Sequence, residues 1–89
     1  MDIYRRFQKY TPTTVNGVVF PKNNKGFVVS TTFIGGFTLD AFTYTDIASG
    51  ITESNTMKFG TIGTYIIPVT VAGISMPSSA TNTEIVILY

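Results

Sequence analysis

Most of this chain consists of short runs rich in β-branched and aromatic residues, and in the best of them apolar and polar residues alternate with the period of two that a half-buried strand requires. The alternating runs are short and punctuated by Gly, Pro and Asn. The clearest lies at residues 64–72, where Tyr65, Ile67, Val69 and Val71 share one face and Ile66, Pro68, Thr70 and Ala72 the other. Pro68 lacks an amide hydrogen, which predicts a sheet edge or a bulge at that point. Ile85, Val86, Ile87, Leu88 and Tyr89 break the alternation, being apolar on both faces. Such a run predicts a strand central to a sheet or buried at an intersubunit contact.

The remaining segments fill in an all-β pattern. Asn16-Gly17 is a type I′ turn signal, predicting a narrow hairpin with flanks at residues 13–15 and 18–20 and Pro21 closing the second flank. A polar loop at residues 22–26 leads into a strand at 27–33, which Gly35-Gly36 ends. Phe37, Leu39, Phe42 and Tyr44 predict a third strand whose apolar parity shifts, and a bulge near Asp40-Ala41 would restore it. A loop centred on Gly50 is followed by a brief strand at 56–59 and a turn at 60–63. After the run at 64–71, Ile74 and Met76 mark a short strand stopped by Pro77, and residues 78–82 turn into the closing strand. Only residues 1–12 carry a helical spacing, with Ile3, Tyr4, Phe7 and Tyr10 on one face and Arg5, Arg6 and Lys9 on the other. An isolated helix of that length is marginal in water, and Pro12 ends it.

These elements predict a compact antiparallel β-sandwich or jelly-roll-like barrel of about six to eight short strands, with an extended N-terminal arm. The expected division is an arm at 1–12 and one β domain at 13–89. Ile67, Val69, Val71, Ile85, Ile87 and Tyr89 are its expected core and strand-closing residues.

Composition turns this fold toward assembly. A chain of 89 residues buries only roughly 60 to 65% of the surface its unfolded form exposes, so its core alone gives modest stability. The absence of Cys and His removes disulfides and the usual zinc ligands as supports, leaving oligomerisation. Charged residues are 12% of the chain against 44% hydrophobic, and Thr, Ser and Asn do most of the solvating. A surface of that kind is cheap to desolvate against a partner. A monomeric β domain with a Thr-rich face is the plainer reading of the same numbers.

The net charge of +1 conceals an asymmetry. Residues 1–25 hold Arg5, Arg6, Lys9, Lys22 and Lys25 against Asp2, whereas later Lys58 faces Asp40, Asp46, Glu53 and Glu84. The basic arm, with its interleaved aromatics, suits an acidic partner or a neighbouring copy. Nucleic acid is the disfavoured rival, because no recognised nucleic-acid motif accompanies those cations. No apolar run approaches the roughly 20 residues of a membrane span. Arg5, Arg6 and Lys9 precede no apolar stretch of the kind a secretory signal needs, so none is expected.

Catalytic chemistry has little to work with. Without His or Cys, a nucleophile would have to be Ser or Thr activated by Lys or a carboxylate, and no such motif is present. Asp40, Asp46 and Glu53 suit acid–base or calcium chemistry only if the fold gathers them; loop solvation is the simpler role. Gly60 and Gly63 in FGTIGT lack the Lys and helix of a phosphate loop and read as a turn. Phe27, Phe33, Phe37, Phe42 and Tyr44 fill a small core more readily than they line a glycan surface. No catalytic, metal or cofactor site is expected.

The chain's second half resembles a known group. Residues 67–71 read IPVTV, Ile74 and Met76 follow, residues 78–82 read SSATN and residues 85–89 read IVILY. This order resembles that of small tailed-phage and gene-transfer-agent virion proteins, such as head-spike base and capsid decoration proteins, over residues 60–89 and more loosely over 26–45. The resemblance implies a non-enzymatic structural protein assembling in multiple copies on a capsid, at a vertex, on the lattice or at a spike or fibre base. Its partners would be copies of itself, the major capsid or another virion protein, and a spike or fibre protein, with no membrane involved. Its location would be the virion, assembled in the host cytoplasm. Tyr4, Arg5, Arg6, Phe7, Lys9 and Tyr10 are the expected partner-binding residues. The alternative is a glycan-binding host-attachment module on a virion.

Overall fold

The computed structural model describes residues 6–89. Within them the chain forms seven strands: β1 (Phe7–Tyr10), β2 (Gly26–Thr31), β3 (Phe37–Phe42), β4 (Ser54–Phe59), β5 (Gly63–Ile67), β6 (Gly73–Ser75) and β7 (Thr83–Leu88). They make two antiparallel sheets, one of order β1-β7-β2-β5 and the other of order β4-β3-β6. Val15, Phe20, Phe27, Val29, Leu39, Val71, Ile85 and Ile87 are fully buried in the core of this small β-sandwich.

Of the two positions open to a run apolar on both faces, β7 takes the centre of a sheet. It pairs with β1 from Phe7↔Leu88 to Tyr10↔Ile85, and with β2 from Gly26↔Leu88 to Thr31↔Thr83. Ile85 and Ile87 point into the core, where each contributes about 1.5–3 kcal/mol by leaving water. Val86 and Leu88 lie half-buried on the outer face. Tyr89 is buried as well, and its N–H continues the ladder to the Arg6 carbonyl at 3.0 Å. Where this sheet meets the end of the sandwich, Thr31 and Thr83 satisfy each other across the strand pair at 2.8 Å.

β2 opens on Gly26, whose φ is +126° and whose missing Cβ would press on the Ile67 carbonyl oxygen. β5 pairs with β2 on one side only and is the sheet's edge, and Pro68 follows directly after its last paired residue, Ile67.

Several local expectations are corrected. Phe7–Tyr10 is extended, not helical, because the strand pairing with β7 satisfies a backbone that so short a helix could not hold. Asn16-Gly17 does not close a hairpin. The Asn16 side chain instead donates to the Met76 carbonyl at 3.0 Å and accepts from the Met76 N–H at 2.9 Å, and residues 13–15 and 18–20 are not strands. β3 runs through Asp40 and Ala41 without a bulge, keeping one-to-one register with β4 from Phe37↔Phe59 to Phe42↔Ser54. Ala41 takes the inner position opposite Ile74, while Phe42 turns to a half-buried one.

The expected strand at 64–71 stops at Ile67. The Val69 N–H donates to the Ile67 carbonyl at 2.9 Å, a three-residue turn that ends the alternation. Val69 is therefore 52% exposed and not a core residue, Ile67 is half-buried against the core, and Val71 is buried as expected.

Candidate interaction surfaces

The expected partner-binding residues divide three ways. Tyr4 and Arg5 lie outside the described residues. Tyr10 faces inward, its ring 5.4 Å from that of Phe20 and its hydroxyl donating to Gln8 Oε1 at 3.1 Å. It serves the fold, as does Tyr89, which donates to the same oxygen at 3.1 Å. Arg6, Phe7 and Lys9 are exposed. The Arg6 guanidinium lies 4.6 Å from the centre of the Tyr89 ring, and the Lys9 ammonium 6.0 Å from that of Phe7. Phe7 and Lys9 lie on the outer face of the sheet, opposite Leu88 and Val86, whereas Arg6 alternates to the other face, where it covers the Tyr89 ring in a cation–π contact. Phe7 and Lys9 form a small basic and aromatic patch on a strand that is anchored in the sheet.

The two edges of this sheet differ in chemistry. β1 carries Lys9 and abuts Arg6, and charge of that kind discourages a foreign strand from pairing. β5 carries no charge, and none occurs in the sequence from 60 to 83. Ile62, Ile66 and Val69, on β5 and at its two ends, are all more than half exposed. Sequence patterning treated this run as half core. The signal available was the presence of Ile66 on the face opposite Tyr65 and Ile67, with no neighbouring charge.

Other aliphatic side chains project from loops. Ile34 is 84% exposed and Ile47 95% exposed. Ile47 sits in a loop organised by Asp46, whose carboxylate accepts from the Ala48 N–H at 3.2 Å and the Ser49 hydroxyl at 2.9 Å.

The expected chemistry candidates do not converge. Among the described residues no three of the His, Cys, Asp and Glu type gather as a metal site. The Asp40 carboxylate accepts a hydrogen bond from Thr56 across the β3–β4 pair. Glu53 holds a backbone bridge, donating its N–H to the Thr43 hydroxyl at 3.0 Å and accepting from the Thr43 N–H at 2.9 Å.

Of the five singled-out aromatics, Phe27 and Phe37 are buried and Phe33, Phe42 and Tyr44 half-buried. Phe33, Phe37, Phe59 and Tyr65 form a chain of ring contacts with centroid separations of 6.4, 5.3 and 4.9 Å. The Tyr44 hydroxyl is buried without a hydrogen-bond partner, and burial pushes its pKa above the ordinary 10.0.

One open cleft of about 540 Å³ lies at the end of the sandwich where Thr31 and Thr83 pair. Its lining is rich in hydroxyl groups and includes Thr13, Thr32, Ser78, Thr81 and Glu84. No such cleft was legible in the sequence, since its walls come from four separate segments.

No family model, curated protein or solved structure matches the chain.

Proposed function

We propose that this chain is a non-enzymatic structural subunit of a phage-like virion, present in multiple copies on the capsid as a decoration, vertex or spike- or fibre-base protein. The observation that carries this reading is the exterior of the sandwich. It is poor in charge, with 12% charged residues in the chain, and it leaves Ile34, Ile47 and Ile66 in water. Exposed aliphatics in a weakly charged surround are what a contact surface needs, because little solvation is lost when it is covered. The resemblance of residues 60–89 to small virion proteins supplies the kind of assembly.

On this reading β1 docks the chain on the shell. Phe7 supplies an apolar anchor, and Arg6 and Lys9, with Arg5 and Tyr4 beside them in sequence, meet acidic groups of the major capsid protein. The test is co-sedimentation of the purified chain with capsids of the particle that encodes it. Lys9→Glu should weaken attachment while leaving the circular dichroism spectrum unchanged. Equal attachment by both proteins would remove β1 as the docking element.

The second reading is a glycan-binding host-attachment module, and the hydroxyl-lined cleft is what favours it. An exposed aromatic platform does not support it: Phe37 is buried, and Tyr44 keeps its hydroxyl inside the protein. Saturable glycan binding that is lost on filling the cleft with Thr32→Trp would favour this reading over the first.

A further inference from the structure

We propose that the open edge of β5 is a self-association site, where two copies of this chain pair β5 against β5 about a two-fold axis and fuse their four-stranded sheets into one of eight strands. The inference rests on the reading that the chain works in several copies. It does not depend on where those copies sit.

Three observations point to a second copy as the occupant. First, β5 ends its sheet, and no described residue pairs with its free side, so its outward N–H and C=O groups are open to a strand. Second, the edge is aliphatic and uncharged over residues 60–83, so a second copy meets it without burying an ion. The opposite edge differs: β1 against β1 would set Lys9 of one copy near Lys9 of the other. Third, the cross-strand register ends on β5 in an exposed apolar residue that a second copy can meet with its own. Lys9 stands opposite Val86, Val86 opposite Val28, and Val28 opposite Ile66, making one row across the outer face of the sheet.

A two-fold axis perpendicular to the sheet generates antiparallel pairing, the only kind this sheet uses. Residues directly opposite in such a pair must share a face, so the permitted registers oppose residues of like orientation. Placing Ile66 against Ile66 of the second copy continues the row unbroken. The sheet then carries Val86, Val28, Ile66 and their two-fold mates as one apolar ridge, with a Lys9 at each end. Tyr65 and Ile67 of the two copies meet on the inner face.

Antiparallel partners directly opposite lie about 4.5–5.5 Å apart at Cα, within the reach of a disulfide. The chain has no Cys, so Ile66→Cys introduces a single thiol, and Ile34→Cys places one on a loop that is more exposed still. Mild oxidation of the two variants side by side, read on a non-reducing gel, should cross-link Ile66→Cys to a dimer at least ten-fold faster than Ile34→Cys. Sedimentation equilibrium of the unmodified chain should give twice the chain mass at high concentration. Ile66→Lys should weaken that dimer at least ten-fold while retaining the β spectrum. A chain that stays monomeric throughout the range, or an Ile66→Cys variant that cross-links no faster than Ile34→Cys, would overturn the proposal. A dimer formed by a chain that never enters particles would leave this inference standing and remove the virion reading alone.

Discussion

The side-chain amide of Asn24 is paired with the peptide group of Val71 much as one strand pairs with another. Its Nδ2 donates to the Val71 carbonyl at 2.9 Å, and its Oδ1 accepts from the Val71 N–H at 3.1 Å. Asn16 makes the same two-bond pair with Met76. The two asparagines thus brace the backbone on either side of β6, a strand of only three residues, from a segment that contains no strand of its own. Asn24 is 2% exposed, so water cannot replace it.

Asn24→Ala should therefore be among the more damaging single substitutions. It strands a buried N–H and a buried C=O, each costing about 1–3 kcal/mol. At about 4–8 °C per kcal/mol for a domain of this size, the midpoint of thermal unfolding should fall by ten degrees or more. Asn16→Ala should cost less, because Asn16 is exposed and water can reach the freed groups. Thermal melts of the two variants followed by circular dichroism test the order.

Gly26 and Gly17 make a second contrast. Both have positive φ, +126° and +81°, but a Cβ at Gly26 collides with the Ile67 and Pro68 backbone, whereas one at Gly17 meets open space. Gly17→Ala should cost about 1 kcal/mol of conformational strain. Gly26→Ala adds a clash between backbones that neither can relieve by rotating a side chain. It should cost about 3 kcal/mol or more, readable in urea unfolding.

Those contrasts also show what local patterning could reveal. The burial of Ile85, Ile87 and Tyr89 was legible because a run apolar on both faces must be covered, by neighbouring strands of its own sheet or by another subunit. Pro68 predicted an edge or a bulge within a longer strand; β5 is an edge strand, but it ends at Ile67, before the proline. Asn16-Gly17 misled because the hairpin signal is local, whereas the Asn16 side chain answers to Met76, 60 residues away. β1 looked helical because its pairing partner lies at the far end of the chain. The bulge was unnecessary because Ala41, read as a parity break, is small enough to occupy the inner face opposite Ile74. Of the residues expected to bind a partner, Arg6, Phe7 and Lys9 are exposed, while Tyr10 packs against Phe20, a contact between segments that spacing within residues 1–12 could not reveal.

Alkali should destabilise the fold. Burial raises the phenol pKa of Tyr44 above 10.0, and burial followed by the neighbouring Tyr10 and Tyr44 raises that of Tyr89 against the opposing pull of Arg6. The unfolded chain then releases these protons at lower pH than the folded one. Their contribution is fully present below pH 10.0 and is lost as pH rises through the folded values. The melting midpoint should thus fall above that point. Tyr44→Phe, which also removes an unpartnered buried hydroxyl, should make the fall shallower and leave neutral stability unchanged or slightly higher.

Removing residues 85–89 should abolish folding. The cut deletes the buried Ile85, Ile87 and Tyr89 and most of the ladder that holds β1 and β2 together. Buried aliphatics lost from a core cost about 2–5 kcal/mol each, and a domain's whole margin is about 5–15 kcal/mol. A soluble truncated chain with a cooperative melt would contradict the central position of β7. Ile87→Ala alone should remain folded but melt markedly lower.

The most direct measurement of the central claim is the number of copies of this chain in purified particles. Quantitative peptide mass spectrometry of virions made by cells carrying the gene, after density-gradient purification, reads it relative to the major capsid protein. A structural subunit should be present in many copies at a fixed ratio that survives repeated banding. A chain missing from the banded particles, or washed away to trace levels, would contradict the account.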